Sequence, residues 1–122
     1  MISIANLTKY NSPAGGSKIH WKKIKEEILG KKYDLSVVLA GDSLMKKLNA
    51  RYRKQNKSAS VLSFPLSKQQ GEIFINIQQK THSPLYLFIH ALLHLKGFKH
   101  SAKMKEQENK FLKRYAKYLR RS

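Results

Sequence analysis

The chain contains no cysteine. That excludes disulfides and thiolate-bound metal alike, so any zinc it carries has to sit on histidine. No segment approaches the roughly 18 consecutive apolar residues of a membrane-spanning helix. The opening stretch from Met1 to Lys9 lacks a basic segment followed by a long apolar run, so it is not expected to act as a secretory signal. Internal repeats and low-complexity tracts are also missing. Acidic residues are scarce: 7 stand against 25 lysines and arginines, giving a formal net charge of +18 over 122 residues. Self-repulsion on that scale favours a polyanionic partner, and nucleic acid is the natural one. An anionic membrane surface is the weaker alternative. The positive charge is spread through Lys22, Lys23 and Lys25, then Lys46 to Lys57, then Lys103 to Arg121. This distribution describes a basic globular surface and not a detachable tail. The length suits one domain, residues 1–122.

Hydrophobic periodicity predicts eight elements in the order β-α-β-α-β-β-α-α, and hence an α+β fold: a single domain with a small mixed β-sheet packed by helices. The first strand is expected over Ile2 to Leu7, followed by a loop at Pro13 to Gly16. A helix capped near Ser17 should run to Leu29, with Ile19, Ile24 and Ile28 inward and the lysines outward, stopped by Gly30. Tyr33 to Ala40 reads as a strand. Asp42 is the expected N-cap of a helix whose stripe is Leu44, Met45, Leu48 and Tyr52. After a polar loop at 54–60, Val61 to Phe64 forms a short strand halted by Pro65. Gly71 to Ile77 alternates, with Ile73, Ile75 and Ile77 on one face. Ser83-Pro84 starts a helix that is apolar nearly all round and therefore buried. A last helix spans Ala102 to Leu119, with Met104, Phe111, Tyr115, Tyr118 and Leu119 as core contacts.

Within the buried helix lies the pattern H-x-x-x-H-x-x-G-x-x-H, formed by His90, His94, Gly97 and His100. Residues at i and i+4 have Cβ atoms roughly 5–6 Å apart, so both imidazoles can reach one ion. Gly97 supplies the left-handed turn that lets the chain swing back and deliver His100. Two imidazoles on an apolar helix are costly to bury without partners, and a shared zinc removes that cost. Three neutral ligands leave a fourth tetrahedral position open for water, as in catalytic sites. Metzincin proteases share this spacing, but they carry glutamate after the first histidine as the base of peptide hydrolysis. Here that position is Ala91, and the basic charge suits a peptide poorly; the protease reading fails. His20 and His82 lie outside the pattern and read as surface histidines.

The segment H-A-L-L-H-L-K-G-F-K-H (His90 to His100) resembles the signature of the YbeY endoribonucleases, approximately H-G-x-L-H-L-x-G-[YF]-D-H. Two further motifs agree in order and separation. Leu48-Asn-Ala-Arg-Tyr52-Arg53 and then Val61-Leu-Ser-Phe-Pro65 are similar to the family's L-N-x-x-[YF]-R and T-D-V-L-S-F-P, and Gly71-Glu72-Ile73 opens its G-[DE]-I-x-I. The likeness covers residues of about 48 to 112. It implies one Zn²⁺ on His90, His94 and His100, and a zinc-bound water attacking an RNA phosphodiester. It also implies Arg53 as the catalytic groove arginine, ribosomal RNA precursors and the ribosome or its subunits as partners, rRNA maturation as the role, and a cytoplasmic location. Ala91 stands for the family's glycine, Lys99 and Ser60 for two aspartates, and Ala59 for a threonine. Lysine cannot orient a ligand histidine as a carboxylate would, although Lys99 beside the metal could hold phosphate. The lost aspartates sustain an alternative, a non-catalytic metal-stabilised RNA- or ribosome-binding module. Glu72, either a general base or a strand ion-pair partner, is left unassigned.

Overall fold

A computed structural model describes residues 1–8 and 19–119, with the side chains of residues 118 and 119 excepted. Its elements are β1 (Ile2–Asn6), α1 (Trp21–Leu29), β2 (Asp34–Ala40), α2 (Asp42–Arg53), β3 (Val61–Ser67), β4 (Gln70–Asn76), α3 (Pro84–Lys96) and α4 (Ala102–Leu119). The α+β order expected from periodicity is the order observed. The four strands form one mixed sheet in the order β1-β2-β4-β3. β1, β2 and β4 run parallel, and β3 returns antiparallel to β4 through a tight hairpin. The expected loop at Pro13 to Gly16 and the cap at Ser17 fall outside the described residues.

Alternation along the strands gives the sheet two different faces. Leu35, Val37 and Leu39 on β2 and Ile73 and Ile75 on β4 point into the larger core, where α3 and α1 cover them. α3 contributes Leu85, Leu87, Phe88, Ile89, Leu92 and Leu93, all buried, and α4 adds Met104, Phe111 and Tyr115. On the opposite face a smaller core of Ala40, Met45 and Leu62 holds α2.

Several local expectations are corrected. Lys25 is buried, not outward: its ammonium donates to the carbonyls of Gly30 and Lys31, each at 3.2 Å, and so satisfies the C-terminal end of α1. Asp42 is the first residue of α2, and Gly41 occupies the cap position. The Asp42 carboxylate instead accepts from the Asn76 amide at 2.6 Å and from the Ser58 hydroxyl at 3.2 Å. Tyr52 leaves the α2 stripe and is 58% exposed. β3 continues through Pro65 to Ser67, with a register shift between these two residues. Proline is tolerated there because β3 is an edge strand and its missing N–H breaks no ladder.

α3 begins as expected, with the Ser83 hydroxyl accepting from the Tyr86 N–H at 3.1 Å and proline in the first turn. Its end fixes the site. Gly97 has φ +113°, its N–H donates to the His94 carbonyl, and the Phe98 N–H donates to the Leu93 carbonyl, both at 3.0 Å. This closure reverses the chain within one turn. A Cβ at that φ is strained by roughly 1–2 kcal/mol, so Gly97→Ala should lose about that much stability in urea denaturation. The variant should also displace the segment carrying His100.

Candidate metal centre

His90 and His94 are presented by consecutive turns of α3, and His100 returns to them after the Gly97 reversal. One potential ligand atom from each lies within 4.8 Å of the others. The ring centroids are 4.6 Å apart for His90–His94 and for His94–His100, and 5.3 Å for His90–His100. The Nε2 atoms of His90 and His94 face each other at 3.2 Å. Two nitrogens bound to one tetrahedral zinc at about 2.0–2.1 Å would stand about 3.3 Å apart, so the spacing fits a shared ion.

The outer nitrogens decide which atoms carry protons. His94 Nδ1–H donates to the Phe98 carbonyl at 3.1 Å, an acceptor that has no proton to offer. His90 Nδ1–H donates to the buried Glu108 carboxylate on α4. With Nδ1 of each ring engaged in this way, Nε2 is the atom left to bind an ion. Two such nitrogens facing each other at this distance can share one cation. His94 is held below the ordinary histidine pKa by burial first, then by the neighbouring His90 and His100 rings. It therefore stays a neutral donor at lower pH than an exposed histidine.

Glu108 was not reached from the sequence, although a signal was there. In a chain with 7 acidic residues, Glu108 interrupts the inward stripe of α4 between Met104 and Phe111 at helical spacing. Tyr86, one turn before His90, has its phenol pKa raised by burial first and then by the charge of Glu108 and a hydrogen bond to it. The carboxylate thus ties α3 to α4 and orients a ligand ring, the task expected of the residue that Lys99 replaces.

The three histidines open into a cavity of about 410 Å³, walled by Val61 to Phe64 of β3, by Ala91, and by Arg53 at the end of α2. The Arg53 side chain is exposed, and its backbone is fixed through the turn that follows it. Lys54 adopts the left-handed conformation (φ 55°), and the Gln55 N–H donates to the Asn49 carbonyl at 3.2 Å. The buried Asn49 amide donates to the Lys57 carbonyl at 2.9 Å, pinning the far end of the loop. Ala91, the position of the missing protease glutamate, is buried against this wall. Lys99 is exposed and Ser60 partly buried; neither lines the cavity, and the Lys99 carbonyl accepts from the Ser101 hydroxyl. Glu72 lies opposite Phe64 in the hairpin register and lines a different groove. His20 and His82 are exposed, and His82 stacks on Tyr86 at 4.8 Å.

Fold and site together define an α+β protein whose buried helix presents a three-histidine cluster, suited to a metal ion, beside an arginine-walled cavity. The sequence model of the family described as Endoribonuclease YbeY matches residues 16–121. The chain belongs to the YbeY endoribonuclease family. The Endoribonuclease YbeY of Ehrlichia chaffeensis is 38% identical to it, over 59% of this chain and 57% of that protein. That of Campylobacter jejuni is 34% identical over 67% and 75%. The solution structure of TM1509 from Thermotoga maritima matches with a TM-score of 0.56 at 27% identity, covering 98% of this chain and 89% of that one. The chain spans somewhat over half the length of the Ehrlichia relatives it matches.

Titration with Co²⁺, followed by its tetrahedral visible absorption, should show one site per chain that His94→Ala abolishes. Glu108→Gln should keep the fold by circular dichroism yet bind the ion about 10- to 100-fold more weakly.

Proposed function

We propose that this protein is a metal-dependent endoribonuclease of ribosomal RNA maturation, acting as one domain over residues 1–122. His90, His94 and His100 hold the ion and Arg53 engages the scissile phosphate. The observation that carries the reading is the facing pair of imidazole Nε2 atoms, with a third histidine beside them and an arginine on the wall of the same cavity. Three neutral nitrogen donors suit zinc, nickel, cobalt or copper, and zinc is the ion proposed. A divalent ion so held supplies Lewis acidity, which makes water a nucleophile at neutral pH and offsets charge on a phosphoryl oxygen.

The protein's own residues do the rest. The Arg53 guanidinium presents paired N–H donors to the non-bridging phosphate oxygens and stabilises the charge that grows on them as water attacks phosphorus. Glu108 and the Phe98 carbonyl keep the His90 and His94 rings in the tautomer that turns Nε2 inward. The Val61 to Phe64 wall limits bulk water and raises the value of each charge inside. The +18 surface draws the polyanion to the cavity, and the exposed lysines of α4 and the 54–57 loop are placed to follow an RNA backbone. Ser60 and Lys99, which stand for two family aspartates, do not line the cavity, and this favours the enzyme over the non-catalytic binding module. Proposed partners are precursor ribosomal RNA and the ribosome or its subunits, and the proposed location is the cytoplasm.

Cleavage of a ribosomal RNA fragment by the zinc-loaded protein tests the reading. Wild type should cut; His94→Ala should be inactive. Arg53→Ala should retain the ion but lose about 10²-fold or more in rate. RNA affinity should fall steeply as salt is raised, as counterion release requires. Stoichiometric zinc with no cleavage across metals and salt would leave the binding module as the correct reading.

A further inference from the structure

We propose that the open groove on the α2 side of the hairpin seats one unstacked nucleobase of a single-stranded RNA, next to the scissile phosphate. This deepens the RNA reading above and rests on it. The groove, of about 200 Å³, is formed by Leu48, Tyr52, Phe64, Leu66, Glu72 and Phe74. It exists because α2 covers only part of its face of the sheet: Met45 and Leu62 close the small core, and the β3–β4 hairpin extends beyond them. The rings that remain form a connected set, with Tyr52–Phe64 centroids at 5.4 Å and Phe64–Phe74 at 5.8 Å, both edge-to-face. Tyr52 is 58% exposed and Leu66 59% exposed, an unusual investment of large apolar side chains at a surface so heavily charged.

Three observations select a nucleobase as the occupant. Phe64 lines both this groove and the histidine cavity, so an extended strand with its phosphate at Arg53 has a neighbouring base within reach of the aromatic set. The charge around the groove suits such a strand: Arg51, Arg53, Lys54 and Lys57 are exposed at its α2 end, and the Arg51 guanidinium lies 5.5 Å from the Tyr52 ring centroid. Interleaved cations and aromatic faces are what single-strand binding surfaces use. The groove itself carries the opposite sign in Glu72, which makes no ion pair among the described residues. A carboxylate there repels a phosphate, so the backbone passes outside and the flat base enters. A second copy of the chain is disfavoured as occupant by the +18 charge. A duplex, whose bases are already stacked, has none to insert.

The test places 2-aminopurine in a short 2′-O-methyl single strand and follows its fluorescence on titration with the full chain, with a duplex of the same sequence in parallel. Wild type should quench the single-strand probe. Tyr52→Ala should weaken single-strand binding about 5- to 100-fold, with duplex affinity and the salt slope unchanged. Tyr52→Trp should restore both affinity and quenching. Single-strand affinity that survives Tyr52→Ala, or an equal loss for single strand and duplex, overturns the proposal. So does a wild-type dimer in sedimentation that Tyr52→Ala dissociates, because the groove then belongs to a second copy. Failure of the underlying RNA reading is distinguishable, since wild type would then bind neither nucleic acid.

Discussion

Two imidazole nitrogens held facing each other 3.2 Å apart are the constraint on which the rest of this structure turns. Nothing in an apolar helix favours that arrangement. It persists because each ring is fixed from behind, one by a carbonyl released at the end of α3 and one by a carboxylate reaching across from α4. Remove either partner and the ring can rotate or change tautomer. The helix end, the Gly97 reversal and the docking of α4 are therefore parts of one device. The larger core supplies its rigidity, since α3 packs against α1, α4, β3 and β4 at once.

Much of this could be read from residue order because it depends on local chemistry. The i, i+4 histidines, the serine-proline start and the glycine stop of α3 each act within a turn or two. The element order followed from periodicities that the strands and helices express plainly. What escaped the sequence depended on contacts between distant segments. Lys25 looked like one more outward lysine, yet the carbonyls just past the end of α1 needed donors and its amine supplies them. Asp42 looked like a cap, but Asn76 and Ser58 claim its carboxylate across the sheet edge. Pro65 reads as a terminator until β3 proves to be an edge strand. Glu108 sits 18 residues from the ring it orients, and only the antiparallel return of α4 brings them together.

The charge of the chain takes a more definite meaning beside this geometry. Among the described residues many basic side chains are exposed, and individually each contributes little. Arg53 differs because its position is specified: a left-handed residue follows it, and a buried asparagine clamps the loop beyond. Under the proposed function the general field draws a polyanion in, and this one arginine is set at the cavity to meet a phosphate. The segment from residue 48 to 53 contains both that arginine and the asparagine that holds its loop.

The two cores described above have a consequence for how the site can fail. The histidines hang on the larger core through α3, while Arg53 hangs on the smaller one of Ala40, Met45 and Leu62 through α2. The cavity is thus a joint between two units of unequal cohesion. Warming or mild denaturant should loosen the α2 side first, moving Arg53 away while the three histidines stay together. The histidine cluster and the arginine beside it should then part company at different temperatures, the arginine leaving first.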